Sequence, residues 1–275
     1  MGIWSGQLDS PKLNHLRQEL RKLRLAARLD IKGPNLIKGI QFEGLRVVGD
    51  PRSFAAKYYS EGIDEIIFLD TVASLYGRNQ LAGLLREVSA QAFIPLTAGG
   101  GIKSVEDARV LFSSGADKVA VNTAAVAKPA LISELAEAFG SQAIVVSIQA
   151  KRVATGSGWE ALVENGREHS GIDAVEWAAQ AQTFGAGEIM VTSVDRDGTK
   201  AGFDTSLFSA IRSEVRVPIT VSGGLGAPSD LPEAAASGAD CVAVGAALHD
   251  NSVSIEDLKN SGNGKDFSFR LGGWR

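Results

Sequence analysis

An ungapped internal repeat constrains the fold of this chain more than any other sequence feature. The segment Pro95–Val121 aligns with Pro218–Val244 at an offset of 123 residues, and 12 of the 27 positions are identical. The identities include a glycine pair after the first predicted strand of each copy and a Gly-Ala-Asp triplet before the next strand. Chance similarity of two units is the alternative, but the run has no gap and its glycines coincide. A repeat of this kind indicates a fold built from two similar halves.

Short apolar segments rich in β-branched residues alternate along the chain with amphipathic segments. The predicted strands are Leu25–Asp30, Glu65–Asp70, Ile94–Ala98, Lys118–Asn122, Ala143–Gln149, Glu188–Ser193, Pro218–Ser222 and Cys241–Gly245. The predicted helices include Arg52–Glu61, Val105–Ser114, Pro129–Phe139, Asp173–Phe184 and Ser229–Ala236, and Asp50 and Ser104 fit N-terminal caps. Eight strands alternating with helices predict an α/β fold, a (β/α)₈ TIM barrel made of two half-barrel repeats. An open doubly wound sheet is the alternative, but it usually carries GxGxxG after its first strand, and this sequence has none there.

Two segments fall outside the barrel pattern. Residues 1–23 are predicted to be an N-terminal extension, and residues 24–275 the barrel. Leu16, Leu20 and Leu23 recur at helical spacing, which favours a helix packed on the bottom of the barrel over a nucleic-acid arm. Residues 150–171 are polar and glycine-rich, and they are predicted to form a β-hairpin inserted after the fifth strand.

Composition excludes several classes of protein. The net charge of −4 gives no general attraction to nucleic acid. One cysteine excludes a disulfide framework and any CxxC metal site, and it suits a reducing cytoplasm. No apolar run approaches the length of a membrane span. We therefore expect a cytoplasmic protein with no nucleic-acid partner, no membrane association, no metal and no cofactor.

Glycine clusters follow two strands that are equivalent in the repeat. Gly99-Gly100-Gly101 follows strand 3 and Ser222-Gly223-Gly224 follows strand 7, while the next strands end in Asn122-Thr123 and Gly245-Ala246. Glycine lets backbone N–H groups approach an anion closely, and phosphate sites after strands 7 and 8 are common in barrels. The repeat predicts two phosphate sites at one barrel mouth, hence a small substrate with a phosphate at each end. The alternative is that these glycines only permit tight turns.

Carboxylates stand at the carboxyl ends of several strands, where barrel active sites lie. Asp30 ends strand 1, Asp70 ends strand 2, and Asp195 and Asp197 follow strand 6. An acidic group that closes an apolar strand is a candidate general acid or base. Helix capping or turn formation is the alternative, and it is strongest for Asp197, which precedes a glycine.

A glutamine at the end of strand 5 and two histidines are further polar candidates. Gln149 ends strand 5, and an amide cannot shuttle a proton near neutral pH. His169 and His249 are possible proton carriers, although a lone loop histidine is more often structural. The sequence leaves open whether Tyr76 and Arg78, after strand 2, contact a substrate.

Four charged residues open strands at the opposite end of the predicted barrel. They are Arg24, Glu65, Lys118 and Glu188, in strands 1, 2, 4 and 6. Two cations and two anions could form a neutral ring inside the barrel, where unpaired charges would be costly. Ordinary ion pairs at the rim are the alternative, and spacing alone does not decide between them.

Long stretches of the chain resemble a known family from about Arg24 onward. They are Gly39–Arg46, Gly99–Ile102, Gly115–Val126, Gly185–Ile189, Thr192–Lys200 and Ser222–Gly224. With their spacing, these stretches resemble the cyclase subunit of imidazole glycerol phosphate synthase. The resemblance implies a lyase that takes a bis-phosphorylated ribulosyl aminoimidazole carboxamide nucleotide. Ammonia from a separate glutaminase subunit, docked on the N-terminal face of the barrel, would yield imidazole glycerol phosphate for histidine synthesis and aminoimidazole carboxamide ribotide.

The resemblance also implies roles for individual residues. The first catalytic aspartate of the family falls on Asp30, and the lysine of its mobile first loop falls on Lys38. Its charged ammonia gate falls on Arg24, Glu65, Lys118 and Glu188, which favours the ring over rim pairs. Its phosphate-binding residues fall on Gly101, Asn122, Thr123, Asp197, Gly198, Ser222 and Gly224. We add Asp70, Gly100, Gly223, Gly245 and Ala246 from their positions at strand ends.

Two departures from the family pattern leave the substrate open. The second catalytic aspartate of the family falls on Gln149, in Ile148-Gln149-Ala150-Lys151, and Pro34 stands in a first loop that usually has an Asp-Gly-Arg-type turn. The first interpretation is a histidine-pathway cyclase in which Gln149 only orients substrate or ammonia. The second is a related ammonia-using enzyme that forms an amidine on a sugar of surface polysaccharides. The third is a non-catalytic scaffold that binds a phosphorylated ligand or the glutaminase. We favour the first.

Overall fold

The computed structural model describes residues 21–73, 79–262 and 267–269. The first 20 residues of the predicted extension lie outside the described residues, as do Tyr76 and Arg78. The strands are β1 Arg21–Lys32, β2 Asn35–Ile40, β3 Glu43–Gly49, β4 Glu65–Asp70, β5 Leu96–Gly99, β6 Lys118–Val121, β7 Ile144–Arg152, β8 Trp159–Val163, β9 Glu168–Asp173, β10 Glu188–Ser193, β11 Ile219–Ser222, β12 Cys241–Val244 and β13 Phe267–Phe269. The α-helices are α1 Pro51–Ser60, α2 Asn79–Ser89, α3 Val105–Ser113, α4 Thr123–Ala127, α5 Ala130–Phe139, α6 Ala174–Thr183, α7 Thr205–Glu214, α8 Leu231–Ala236, α9 Ala246–His249 and α10 Ile255–Asn260.

Eight parallel strands close into a barrel. Their order is β1-β4-β5-β6-β7-β10-β11-β12, and β12 pairs with β1 to complete the circle. Helices connect successive strands, which confirms the predicted (β/α)₈ barrel and excludes the open sheet. All eight strands point the same way, so their carboxyl ends meet at one mouth.

Side chains alternate along the barrel strands between two separate cores. In β1, Leu25, Ala27 and Leu29 face the large core between barrel and helices, whereas Ala26 faces the barrel interior. The interior core is a layer of Ala26, Ile67, Ala120, Val145, Met190, Cys241 and Ala243. This alternation places charged residues of the same parity as Ala26, such as Arg24 and Asp30, inside the barrel below and above the apolar layer.

The N-terminal strand begins before the predicted barrel boundary. Arg21, Lys22 and Leu23 pair in parallel with Phe267, Ser268 and Phe269. Leu23 is therefore in a strand, and the prediction of a helix through this residue is wrong. Pairing with β13 satisfies its backbone and buries its side chain against the main core.

Two hairpins extend from barrel strands at the mouth. The one after β7 was predicted for residues 150–171, and it is formed by an extended β7 with β8 and β9. The other, β2–β3, lies where only a loop was expected, and Gly33-Pro34 forms the turn that leads into it. Its tip places Gln41 and Phe42 in the left-handed region, at φ 52° and 64°. Such hairpin turns usually carry Asn or Gly, so these residue types give no turn signal.

Most predicted boundaries hold within a few residues. β4 and β10 coincide with their predicted ranges, and β7 runs past Gln149 because it continues into the hairpin. The two proposed caps are confirmed, since Asp50 accepts a hydrogen bond from the Arg52 N–H and Ser104 from the Asp107 N–H. Within the described residues, no helix is long and apolar enough to cross a membrane.

Candidate active site

A closed ring of four charges lies inside the bottom of the barrel. Arg24 contacts Glu65 at 2.5 Å and Glu188 at 3.0 Å, and Lys118 contacts the same two carboxylates at 3.0 Å and 2.8 Å. Cations and anions alternate, so each charge has two opposite neighbours. Hydroxyls complete the shell, since Thr97 donates to Glu65 at 2.7 Å and Thr220 donates to Glu188. The structure thus has the ring and not separate pairs at the rim.

Electrostatics favour the charged forms of Glu188 and Lys118 in this ring. Burial disfavours the charge on Glu188, but Arg24 and Lys118 outweigh it and lower the pKa of that carboxyl. Burial likewise opposes the charge on Lys118, but Glu65 and Glu188 raise its pKa above the ordinary value. The ring is therefore a neutral, fully paired layer that shares the barrel interior with the apolar layer above it.

The first glycine cluster lies on a cavity of about 420 Å³ at the mouth. The structure brings six of the predicted residues to its wall: Asp70, Gly100, Gly101, Asn122, Thr123 and Gln149. Gly100 has φ +113°, and a Cβ there would lie 2.3 Å from the carbonyl oxygen of Asp70. Only glycine fits this approach, which leaves the backbone open to the cavity. Lys103, Lys128 and Arg167 also line the cavity and give its wall positive charge.

The second glycine cluster forms the equivalent site in the other half of the barrel. Its smaller pocket, of about 20 Å³, is lined by Lys38, Asp197, Gly198, Ser222, Gly223, Gly224, Gly245 and Ala246 among others. Gly224 has φ +112°, and a Cβ there would lie 2.1 Å from the carbonyl oxygen of Gly202. The Lys38 ammonium reaches into this region and contacts Asp197 at 2.8 Å. Both glycine clusters therefore form backbone cradles at one mouth, the first after β5 and the second after β11.

Asp30 lies in a buried cluster of opposite charges beside the second cradle. It accepts from the Arg28 Nε at 2.9 Å and from the Lys38 Nζ at 3.4 Å. Burial raises the cost of the carboxylate, but the charges of Arg28 and Lys38 prevail and lower the pKa of Asp30. Asp30 is consequently ionised at neutral pH, which suits a proton acceptor and not a donor.

Arg28 is a site residue that the sequence analysis missed. Its side chain is buried at the mouth, donates to Thr192 at 2.9 Å and to Ser222 at 3.4 Å, and lies 5.4 Å from the ring centre of Phe42. The only sequence signal is parity, because Arg28 is two residues from Asp30 and four from Arg24 in one strand. An arginine inside an apolar strand indicates a buried charge network.

Gln149 is buried on the wall of the first cavity and is 6% exposed. Its amide nitrogen donates a long hydrogen bond of 3.5 Å to Asn165 Oδ1. Asn165, in the β8–β9 turn, is a second residue that the sequence analysis did not select. The mouth thus pairs one ionised carboxylate at the second cradle with a neutral amide at the first.

The remaining candidates have structural contacts. His169 is exposed and bonds to Glu160 at 2.7 Å, in the hairpin. His249 is buried and bonds to the Tyr58 hydroxyl at 2.8 Å, and burial lowers its pKa to about 4. Asp195 accepts from the Arg152 N–H at 2.8 Å, and Asp70 accepts from the Val72 N–H at 3.0 Å. His249 is therefore part of the packed interior, and His169 lies at the surface of the hairpin.

Comparison with known proteins gives consistent similarities. The profile of a family described as "Histidine biosynthesis protein" matches residues 24–254. A Legionella pneumophila protein named imidazole glycerol phosphate synthase subunit HisF is 55% identical over 207 residues, which cover 75% of this chain and 97% of the relative. Proteins of the same name from Mycobacteroides abscessus and Corynebacterium diphtheriae are 47% and 46% identical, and each match covers 86% of this chain and 94% of the relative.

Proposed function

The chain belongs to the histidine biosynthesis protein family, and we propose that it is the cyclase subunit of an imidazole glycerol phosphate synthase. The activity is an ammonia-dependent lyase and cyclase reaction in histidine biosynthesis. The substrate is the bis-phosphorylated ribulosyl aminoimidazole carboxamide nucleotide, and the products are imidazole glycerol phosphate and aminoimidazole carboxamide ribotide. One observation carries the proposal: two glycine cradles, one from each half of the repeat, open on a single mouth beside an ionised aspartate.

The two cradles suit a substrate with a phosphate at each end. Glycine backbones at Gly100 and Gly224 leave room that no other residue would leave, and Lys103, Lys128 and Arg167 surround the first cradle. A phosphate in the second cradle would compete with Asp197 for the ammonium of Lys38. Binding would then release Lys38 from one carboxylate and alter the charge around Asp30.

Asp30 is the proposed catalytic base. Its low pKa keeps it unprotonated, and Arg28 and Lys38 hold it in position at 2.9 Å and 3.4 Å. Gln149 stands where a second carboxylate would act and can only donate or accept hydrogen bonds. The loss of one general acid or base typically costs about 10²–10⁴-fold in rate, so we expect a slow cyclase.

The charge ring is the proposed ammonia gate, and a glutaminase subunit is the proposed source of ammonia. Arg24, Glu65, Lys118 and Glu188 close the barrel interior at its N-terminal end. A glutaminase docked on that face would deliver ammonia next to the ring. The apolar layer above it would carry a small neutral molecule and exclude ions.

The test is turnover of the purified protein with the bis-phosphorylated nucleotide and an ammonium salt. We expect imidazole glycerol phosphate at a rate above the uncatalysed background, and its loss in Asp30→Asn. No product above background refutes the cyclase assignment. Unchanged turnover in Asp30→Asn refutes the role of Asp30 alone.

Gln149 favours a second candidate, a related enzyme that uses ammonia to form an amidine on a sugar. A neutral amide at this position is compatible with a reaction that needs no second acid. Gln149→Asp distinguishes the two, since it should raise cyclase turnover if the enzyme is a weakened cyclase. A flat response favours the sugar substrate.

A further inference from the structure

Two side-chain amides at the first cavity carry polar atoms that have no partner. Gln149 Oε1 and Asn165 Nδ2 are both buried, and neither makes a hydrogen bond within the described part of the chain. Both residues line the same cavity. A buried polar group without a partner costs free energy, so two such groups on residues that line one cavity indicate a ligand that satisfies them.

The backbone fixes both amides in place. Val145 faces the barrel interior and Ser147 lines the cavity, so Gln149 shares their parity in β7 and also faces inward. Asn165 sits at φ 57°, a left-handed conformation that Asn tolerates better than most residues. The hairpin is tied to the first residue of α4, because the Glu164 N–H donates to Thr123 Oγ1 at 3.0 Å. The pair is thus built into two anchored elements.

The hydrogen bond between the two amides leaves one donor and one acceptor without a partner. The bond from Gln149 to Asn165 uses one donor and one acceptor, and it leaves the Gln149 oxygen as acceptor and the Asn165 nitrogen as donor. Rotation of both amides by 180° exchanges these roles and again leaves one of each. The free pattern therefore remains one donor beside one acceptor, with no net charge.

We propose that Gln149 and Asn165 form a subsite for a primary carboxamide, whose N–H and C=O match this pattern. A carboxylate offers only acceptors and would face the Gln149 oxygen. An amidinium or ammonium offers only donors and would face the Asn165 amide nitrogen. The donor–acceptor pattern rests on the two amides, whereas assigning the carboxamide to the aminoimidazole nucleotide rests on the proposed function.

Calorimetric binding tests this subsite without turnover. The probes are aminoimidazole carboxamide ribotide and the matching carboxylate ribotide, which differ only in the group to be recognised. We expect the carboxamide to bind at least tenfold more tightly, since each neutral hydrogen bond contributes up to about tenfold. Equal affinity, or tighter binding of the carboxylate, would overturn the proposal.

Variants assign the preference to the two residues. Gln149→Leu removes one amide without adding charge, and Asn165→Gly removes the other at a φ that glycine accepts. Each should reduce the carboxamide preference about tenfold, whereas Gln180→Glu, on the exposed face of α6, should leave it unchanged. If Gln149→Leu does not fold, Asn165→Gly alone decides, and an unchanged preference there contradicts the subsite.

The binding and turnover results separate this inference from the proposed function. Product formation without a carboxamide preference refutes the subsite and leaves the cyclase assignment standing. A carboxamide preference without product formation supports the subsite and refutes the cyclase assignment.

Discussion

Glu65 is the ring position whose removal should be most costly. It is 2% exposed and accepts from Arg24 at 2.5 Å, Thr97 at 2.7 Å and Lys118 at 3.0 Å. Glu65→Ala leaves two cations with only Glu188 to balance them. Removing one partner of a buried ion pair costs about 3–5 kcal/mol. Because the Arg24 side chain is 35% exposed, we expect the free energy of unfolding to fall by about 3 kcal/mol, the lower end of that range.

Urea unfolding measures this loss against a matched surface pair. Lys128 and Glu134 are 2.5 Å apart with side chains 59% and 43% exposed, so Glu134→Ala should cost less than about 1 kcal/mol. In thermal unfolding, Glu65→Ala should lower the Tm by roughly 6–12 °C, at about 2–4 °C per kcal/mol for a chain of this size. Equal losses in the two variants would refute the buried ring.

A second substitution tests whether the charges act as a unit. Adding Lys118→Met to Glu65→Ala leaves Arg24 and Glu188 as a balanced pair. The double variant should be no less stable than Glu65→Ala, although Lys118→Met alone is destabilising. Additive losses would show that the four residues contribute independently.

Three further predictions follow from the geometry. The folded pKa of His249, about 4, lies below its unfolded value near 6.5, so the neutral imidazole stabilises the fold fully above pH 6.5, and the free energy of unfolding falls by up to about 3 kcal/mol as the pH drops toward 4. Urea unfolding of His249→Asn should lack this decline, and an equal decline in the variant would exclude His249 as its source. Gly224→Ala should weaken the binding of inorganic phosphate and lower the free energy of unfolding by about 2–4 kcal/mol, because its Cβ overlaps a carbonyl oxygen and its φ is positive. The control Gly83→Ala, in α2 with open space around it, should raise the free energy of unfolding by up to about 1 kcal/mol. Calorimetry measures the phosphate binding and urea unfolding the stability, and equal effects of the two variants would contradict a cradle built on glycine. Asp30→Asn should reduce kcat about 10²–10⁴-fold. The kcat of the wild type should not fall between pH 7 and pH 5 through protonation of Asp30, since the lowered pKa keeps this carboxylate ionised. A fall in wild-type kcat near pH 6 that is absent in Asp30→Asn would contradict this.

The architecture was predictable because it depends on local patterns. The alternation of inward and outward residues in the strands follows from backbone periodicity. The helix caps at Asp50 and Ser104 and the repeat offset of 123 residues are likewise visible in the order of residue types along the chain. The places of the glycine clusters were also predictable, because each cluster directly follows a predicted strand at the turn toward the next helix. The β2–β3 hairpin was not, because Gln41 and Phe42 adopt left-handed turns that their residue types do not announce.

By itself, the sequence determined a two-half barrel with glycine clusters and carboxylates at the ends of its strands. The tertiary structure decided which charges meet. Spacing left the four bottom residues equally compatible with a ring or with rim pairs, and only closure of the barrel brings Glu65 and Glu188, 123 residues apart, to the same two cations. It also brought Lys38 of β2 to Asp30, where Arg28 and Lys38 together lower the pKa of that carboxyl, and it placed Asn165 beside Gln149. These contacts join different strands and turns, and electrostatic and hydrogen-bond energies depend on distances in space that separation along the chain does not specify.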